Sequence, residues 1–187
     1  CLPNYKVFDE KRYFSAGGDA TVLDYHGFRI GLLVCEDAWE SAPARRAREQ
    51  GAELLLIINA SPYEIHKQRE REQVLGERVR ETGLPAVYVN LLGGQDELVF
   101  DGASFALNAD LSVAAQLPAF EESIVTLNWT KGADGWRCSG AVVPLIEGDD
   151  PFGEATVAAV REAAAPLKEA GVDTVVLGCT HYPLIRP

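Results

Sequence analysis

The most constraining feature of the sequence is a short apolar run that ends abruptly at a cysteine followed by two acids. Residues 30–34 read IGLLV, and residues 35–37 read CED. Such a run is too short for an independent helix and is typical of a buried β-strand. Acidic side chains suit the first turn of a helix, because its free N–H groups carry partial positive charge. The pattern therefore predicts that Cys35 lies where a strand turns into a helix.

A cysteine in that position has two interpretations. The N–H groups at the start of a helix lower the pKa of a thiol below its usual value of about 8.5, which produces a reactive thiolate. Alternatively, Cys35 is an unreactive side chain packed at the end of a strand, as many buried cysteines are. This stretch by itself favours the second interpretation.

Composition limits the class of protein and its partners. The 187 residues suffice for one domain or slightly more, and the shares of 47% hydrophobic and 24% charged residues are ordinary for a globular protein. No apolar run approaches the roughly 20 residues that cross a bilayer, and the net charge of −11 argues against nucleic acid and anionic membranes as partners. The four cysteines are widely spaced, which favours free thiols in a reducing cytoplasm over disulfides or a metal site. The sequence has no methionine and no signal-peptide pattern, so we expect an internal piece of a longer product.

The hydrophobic pattern predicts an α/β layered domain. Residues 21–25 and 28–34 flank His26 and Gly27, which indicates a β-hairpin. Strand and helix then alternate, which is typical of the α/β class, and the charged second helix is expected to be mostly solvated. The predicted elements are helices at 42–50, 65–81 and 154–170, strands at 53–58, 86–90, 98–100, 103–107, 111–116, 123–128 and 173–177, and turn-rich segments at 131–135 and 148–151.

Four blocks of sequence stand out together by their order and spacing. They read LPNYKVFDEKRYF (2–14), CEDAW (35–39), NASPYEIHK (59–67) and GGQDELVFDG (93–102). Together they resemble the nitrilase-type glutaminase domain of bacterial glutamine-dependent NAD+ synthetases. The resemblance implies that residues 1–145 form a partial nitrilase-like α-β-β-α sandwich, a carbon–nitrogen hydrolase domain truncated at its N-terminus.

The resemblance implies a catalytic role for three residues. In that family a Glu–Lys–Cys triad hydrolyses glutamine, and the match places the nucleophile at Cys35. Its thiolate would attack the side-chain amide, release ammonia and leave a glutamyl thioester for water to cleave. The backbone N–H of Glu36 would donate to the oxyanion. Glu10 matches a second glutamate that orients the lysine; the alternative is a surface acid.

A glutamine pocket is implied as well. Tyr5 and Ser61 match positions that line it, whereas Lys67 is either a pocket residue or part of the charged helix. Four polar residues match a loop at the family's interface and pocket wall, or else form a solvated acidic loop: Gln95, Asp96, Glu97 and Asp101.

The sequence also departs from the family pattern. The family's catalytic lysine and general-base glutamate precede the LPNY block, and neither Lys6 nor Lys11 occupies the matching place. We therefore expect these residues alone to be inactive. The implied partners are L-glutamine, an NAD+ synthetase domain outside this sequence, and further copies in a homo-oligomer. The glutaminase part needs no cofactor, whereas ATP and Mg²⁺ belong to the synthetase domain.

The last part of the chain resembles a different family. Residues 173–184 read DTVVLGCTHYPL, and together with the preceding helix they resemble the C-terminal part of glutamate racemase. Residues 146–187 would then be a short helix–strand fragment of an Asp/Glu racemase-like α/β domain. The resemblance makes Cys179 one of two proton-exchanging cysteines, Thr180 a substrate-binding residue and His181 an assisting acid or base; the partner cysteine's motif is missing. The alternative is a Cys and a His packed at a strand end.

Three functional hypotheses follow. The first is a glutaminase module of an NAD+ synthetase joined to a racemase fragment. The second is a racemase-like amino-acid isomerase, and the third is a catalytically dead α/β scaffold or interaction module. Their products differ, since the first releases ammonia and L-glutamate, the second D-glutamate and the third neither.

Overall fold

The computed structural model describes residues 1–4 and 9–142, and these form one six-stranded mixed β-sheet, two separate two-stranded sheets and two α-helices. Short 3₁₀ turns cover Glu10–Arg12 and Cys35–Ala38. The helices are α1 (Ser41–Glu49) and α2 (Lys67–Thr82). The strands are β1 (Thr21–Tyr25), β2 (Phe28–Val34), β3 (Leu54–Asn59), β4 (Ala86–Asn90), β5 (Leu92–Gln95), β6 (Leu98–Asp101), β7 (Phe105–Leu107), β8 (Val113–Gln116), β9 (Thr126–Gly132) and β10 (Gly135–Val142).

The main sheet has the strand order β1-β2-β3-β4-β7-β8. Its centre, β2-β3-β4, is parallel, and the flanking pairs are antiparallel. Parallel strands need crossover connections, and α1 and α2 supply them between β2, β3 and β4. The carboxyl ends of β2, β3 and β4 therefore meet at one edge of the sheet. At that edge the residues that follow β2 and β3 begin with Cys35 and Ala60.

Both helices cover the same face of the sheet. Leu33, Ile57 and Tyr88 lie side by side in the strand register and share a buried core with Ala47 of α1 and Leu75 of α2. Helix α1 approaches closely at Gly31, where an added Cβ would lie 2.9 Å from the Cβ of Ala47. Gly31 is therefore needed for the distance between β2 and α1.

The opposite face of the sheet is incompletely covered. Leu23, Val34 and Ile58 share that face and are exposed. The described residues thus contain one helix-covered sheet of the α-β-β-α sandwich that the sequence predicts. Within the same described part, neither helix is long and apolar enough to cross a membrane.

The hairpin β1–β2 confirms the predicted turn at His26 and Gly27. Both residues have positive φ, +49° and +79°, as the tight turns that match strand twist require. Residues 131–135, predicted as a turn-rich segment, close the hairpin β9–β10. That hairpin is docked by Trp136, which stacks on Phe28 at 3.5 Å between ring centroids.

Candidate active site

Cys35 sits at a sharp turn at the end of β2. Its φ is +41°, an uncommon conformation for a residue with a Cβ, and the 3₁₀ turn begins at the same residue. The turn is braced because the Val34 N–H donates to an Asp37 carboxylate oxygen at 3.1 Å and the Trp39 N–H donates to the Glu36 carbonyl at 3.1 Å. The predicted strand-to-helix turn is therefore confirmed in a 3₁₀ form. Backbone strain of this kind concentrates at functional sites.

The surroundings of the Cys35 thiol oppose its ionisation. Burial raises the pKa of Cys35, and the negative charges of Glu36 and Asp37 raise it further. Backbone N–H groups of Ala60 and Glu36 donate hydrogen bonds to the thiol and act in the opposite direction without outweighing these effects. The lowered pKa of the first of the two interpretations is therefore not found in these surroundings, because the acids placed at the helix start also lie beside the sulfur. Cys35 needs a base or a nearby positive charge to become a nucleophile.

Ser61 lies one residue beyond the Ala60 amide that contacts Cys35. It is buried, and Arg71 of α2 donates two hydrogen bonds to it and a third to Pro62. Arg71 Nε donates to Ser61 Oγ at 3.1 Å, and its guanidinium also donates to the Ser61 carbonyl at 2.9 Å and the Pro62 carbonyl at 3.2 Å. The loop after β3 is therefore fixed from the side of α2.

The buried Arg71 guanidinium is neutralised by Asp101, at 2.9 Å between nitrogen and oxygen. Asn90 completes the network, since its Oδ1 accepts the Ser61 N–H at 2.9 Å and its Nδ2 donates to the Gly102 carbonyl at 3.0 Å. The solvated-acid alternative is therefore wrong for Asp101, which is a buried ion-pair partner, and the pocket-wall alternative stays a prediction. Its predicted companions Gln95, Asp96 and Glu97 are exposed.

Sequence reasoning missed Arg71 and Asn90. It treated the charges of α2 as solvated, whereas Arg71 and Arg78 are both buried. A signal was present, because Arg71 lies four residues before Leu75 and Arg78 three residues after it. That spacing puts both arginines on the apolar side of the helix. The charge of these two arginines by itself therefore led to the wrong prediction that they face solvent.

Tyr88 brings a second titratable group close to the thiol. Burial raises the pKa of Tyr88 to about 12, and the charge of Cys35 contributes in the same direction. The hydroxyl lies near Ser61, but it forms no hydrogen bond of good geometry with any described residue. The phenol is therefore protonated at neutral pH.

Lys67 lies at the rim of this region. Its Nζ is 4.4 Å from the centre of the Trp39 ring and 2.9 Å from a Glu70 carboxylate oxygen. Trp39 follows the Cys35 turn directly, so the lysine is close to the turn while also taking part in an exposed ion pair of α2. Both predicted alternatives, pocket residue and helix surface, stay compatible with this position.

The remaining predicted residues are not brought to Cys35 by any described contact. Glu10 begins a 3₁₀ turn, where its N–H donates to the Pro3 carbonyl at 3.3 Å and its carbonyl accepts from Phe14 at 3.0 Å. These bonds fix the backbone of Glu10 within the N-terminal segment and do not place its carboxylate. Four predicted site residues lie outside the described residues: Tyr5, Cys179, Thr180 and His181.

A metal centre finds no support in the described part of the chain. Residues 1–4 and 9–142 contain no group of three or more His, Cys, Asp or Glu side chains arranged to hold an ion.

Comparison with known proteins identifies the family. Residues 2–134 match the family model described as carbon–nitrogen hydrolase. The glutamine-dependent NAD+ synthetase of Rhodobacter capsulatus is 44% identical over 178 residues, which are 95% of this chain and 32% of that protein. The match thus runs beyond residue 145, and the chain spans about a third of that relative's length. The racemase-like assignment of residues 146–187 and the boundary at 145 stay predictions.

Solved structures share the fold of the chain. The glutamine-dependent NAD+ synthetase of Acinetobacter baumannii, determined with ADP, is 38% identical with a TM-score of 0.69, covering 78% of this chain and 28% of that one. An amidase mutant from Nesterenkonia sp. AN1 is 30% identical with a TM-score of 0.53, covering 59% of this chain and 41% of that one. That structure shows covalent addition of the acetamide moiety of fluoroacetamide at the active-site cysteine. The chain has a nitrilase-like α/β fold and belongs to the carbon–nitrogen hydrolase family.

Proposed function

We propose that Cys35 is the nucleophile of a glutamine amide hydrolysis that supplies ammonia for NAD+ synthesis. The observation that carries the proposal is the position of Cys35 at a strained turn, with two backbone N–H groups directed at its sulfur. A family relative that carries a covalent adduct on its active-site cysteine supports the same chemistry. The names of the relatives from R. capsulatus and A. baumannii support glutamine as the substrate.

The reaction has two covalent steps. The Cys35 thiolate attacks the carbonyl carbon of the substrate amide, and the C–N bond breaks as the nitrogen receives a proton and leaves as ammonia. Water then attacks the thioester carbonyl, which releases glutamate and returns a proton to the thiol. In this proposal the Glu36 N–H donates to the oxyanion that forms in both steps, and its hydrogen bond to the adjacent sulfur supports that role.

The raised pKa of Cys35 determines what else the reaction needs. A positive charge near the thiol would offset Glu36 and Asp37, and a proton donor is required for the departing ammonia. The resemblance assigns these roles to the family's lysine and glutamate, which in that family lie before the LPNY block. It also assigns Glu10 as the orienting acid, Tyr5, Ser61 and Lys67 to the glutamine pocket, and ATP and Mg²⁺ to a synthetase domain.

An activated substrate tests Cys35 separately from those groups. L-Glutamate γ-(4-nitrophenyl) ester has a leaving group that needs no proton, so at a pH high enough to ionise the thiol its acylation depends on the nucleophile and its N–H donors. We expect a burst of nitrophenolate equal to the amount of protein, which Cys35→Ala abolishes and Cys138→Ala preserves. The D-enantiomer of the ester is the control for stereospecific binding in the glutamine pocket. A burst that survives in Cys35→Ala, or equal bursts with both enantiomers, would refute the proposal.

A further inference from the structure

We propose that Arg71 is a positioning residue of the active site, because it holds the loop whose Ala60 N–H faces the Cys35 sulfur. This inference rests on the proposed function of Cys35 for its catalytic consequence. The contacts that carry it are those of Arg71, Asn90 and Leu91 with residues 59–62.

The hydrogen bonds of Arg71 go mainly to one loop. A buried guanidinium requires an acidic partner, and Asp101 provides it. Three further bonds go to the Ser61 hydroxyl, the Ser61 carbonyl and the Pro62 carbonyl. An arginine that served only to neutralise Asp101 would not need this set of contacts. The planar fork of donors thus couples α2 to the loop after β3.

The Ala60 amide lies between two fixed points. On one side, the Leu91 N–H donates to the Asn59 carbonyl at 2.9 Å, and that carbonyl belongs to the same planar peptide unit as the Ala60 N–H. On the other side, Ser61 is held at its N–H by Asn90 and at its carbonyl by Arg71. Loss of the Arg71 contacts would leave the second side held by Asn90 alone and would loosen the orientation of the Ala60 N–H toward the thiol.

That movement would change the ionisation of Cys35. The negative charges of Glu36 and Asp37 act on the thiol and oppose its ionisation. The Tyr88 phenol is close to the thiol but neutral. The Arg71–Asp101 ion pair has no net charge. Only the N–H groups of Ala60 and Glu36 favour the thiolate among these interactions. A misaligned Ala60 amide therefore makes the thiolate harder to form.

Arg71→Lys is the decisive variant. Lysine keeps the charge beside Asp101 but cannot span a hydroxyl and two carbonyls. The readout is the pH dependence of Cys35 alkylation by iodoacetamide in the full 187-residue chain between pH 7.0 and 10.5, quantified by peptide mass spectrometry. We expect the midpoint to rise by about half a pH unit or more, which makes alkylation at pH 8 about three-fold slower.

Leu75→Ala is the matched control, since Leu75 is buried on the same helix and contributes no polar contact to the loop. It destabilises the core without moving the midpoint, and alkylation of the buried Cys138 reports general opening in every variant. If Arg71→Lys does not fold, Ser61→Ala is the variant that tests the inference. It removes one of the three loop contacts and should give a smaller rise in the midpoint of Cys35 alkylation. An unchanged midpoint, or the same change in Leu75→Ala, would overturn the inference. A failed nitrophenyl-ester burst in the unmodified chain would refute the proposed function instead, and the midpoint comparison would still test Arg71.

Discussion

Replacement of Asp101 by alanine gives the sharpest test of the buried network. An exposed acid in a loop changes stability by no more than about 0.5 kcal/mol when it is replaced. Asp101 is only 3% exposed, however, and its partner Arg71 is 1% exposed. Removing one member of such a pair leaves an uncompensated buried charge, which costs about 3–5 kcal/mol. We therefore expect Asp101→Ala to lower the free energy of unfolding by about 3–5 kcal/mol.

Urea unfolding followed by tryptophan fluorescence measures this loss. With a slope of about 2 kcal/mol per molar urea, the midpoint should fall by about 2 M. Glu97→Ala is the control, because Glu97 lies in the same polar block and is exposed. The double variant Arg71→Met/Asp101→Leu should recover part of the loss, since it removes both charges together. A loss below about 1 kcal/mol for Asp101→Ala, or equal losses for Asp101→Ala and Glu97→Ala, would show that the buried ion pair does not stabilise the fold as described.

Three further predictions concern the strand, the thiol and the docked hairpin. Gly31→Ala should cost about 1–3 kcal/mol in urea unfolding, because the new methyl group would lie 2.9 Å from the Cβ of Ala47; an unchanged midpoint would show that α1 moves freely. Glu36→Gln should lower the pKa of Cys35 and speed its alkylation at pH 8, since it removes a negative charge beside the thiol; slower alkylation would contradict this sign. The pKa of Glu53 is lowered by hydrogen bonds from the β9–β10 hairpin, so its contribution to docking is present above the ordinary value of 4.5 and is lost as the pH falls through the lowered value. Tryptophan fluorescence should therefore change on acidification in the unmodified chain and not in Glu53→Gln, and identical titrations would exclude this role.

Local patterns predicted the elements that position Cys35. The hairpin turn at His26 and Gly27, the strand that ends at Val34 and the sharp turn at Cys35 all depend on residues close in sequence. The helix α2 was also predicted within two residues at each end, and Gly83 ends it with a φ of +68°, as a helix C-terminus favours. Short-range geometry thus determines most of the scaffold.

The polar network could not be predicted in the same way. Arg71 and Asp101 are 30 residues apart, and their pairing depends on how α2 packs over the loops at the edge of the sheet. The sign of the Cys35 pKa shift, which the two interpretations of the sequence left open, depends on the fold for a similar reason. The sequence placed Glu36 and Asp37 at a helix start, but only the folded turn shows that both charges also act on the sulfur. Electrostatics at the site depends on three-dimensional distances that spacing along the chain does not give.

The most direct test that Cys35 is a glutamine-directed nucleophile is its protection from alkylation by glutamine. Peptide mass spectrometry after iodoacetamide treatment compares Cys35 with the buried Cys138, with and without saturating L-glutamine. We expect faster alkylation of Cys35 than of Cys138, and a several-fold slowing at Cys35 alone by L-glutamine, whereas D-glutamine has no effect. Equal slow labelling of both cysteines, or labelling of Cys35 that L-glutamine does not change, would contradict a glutamine-directed nucleophile.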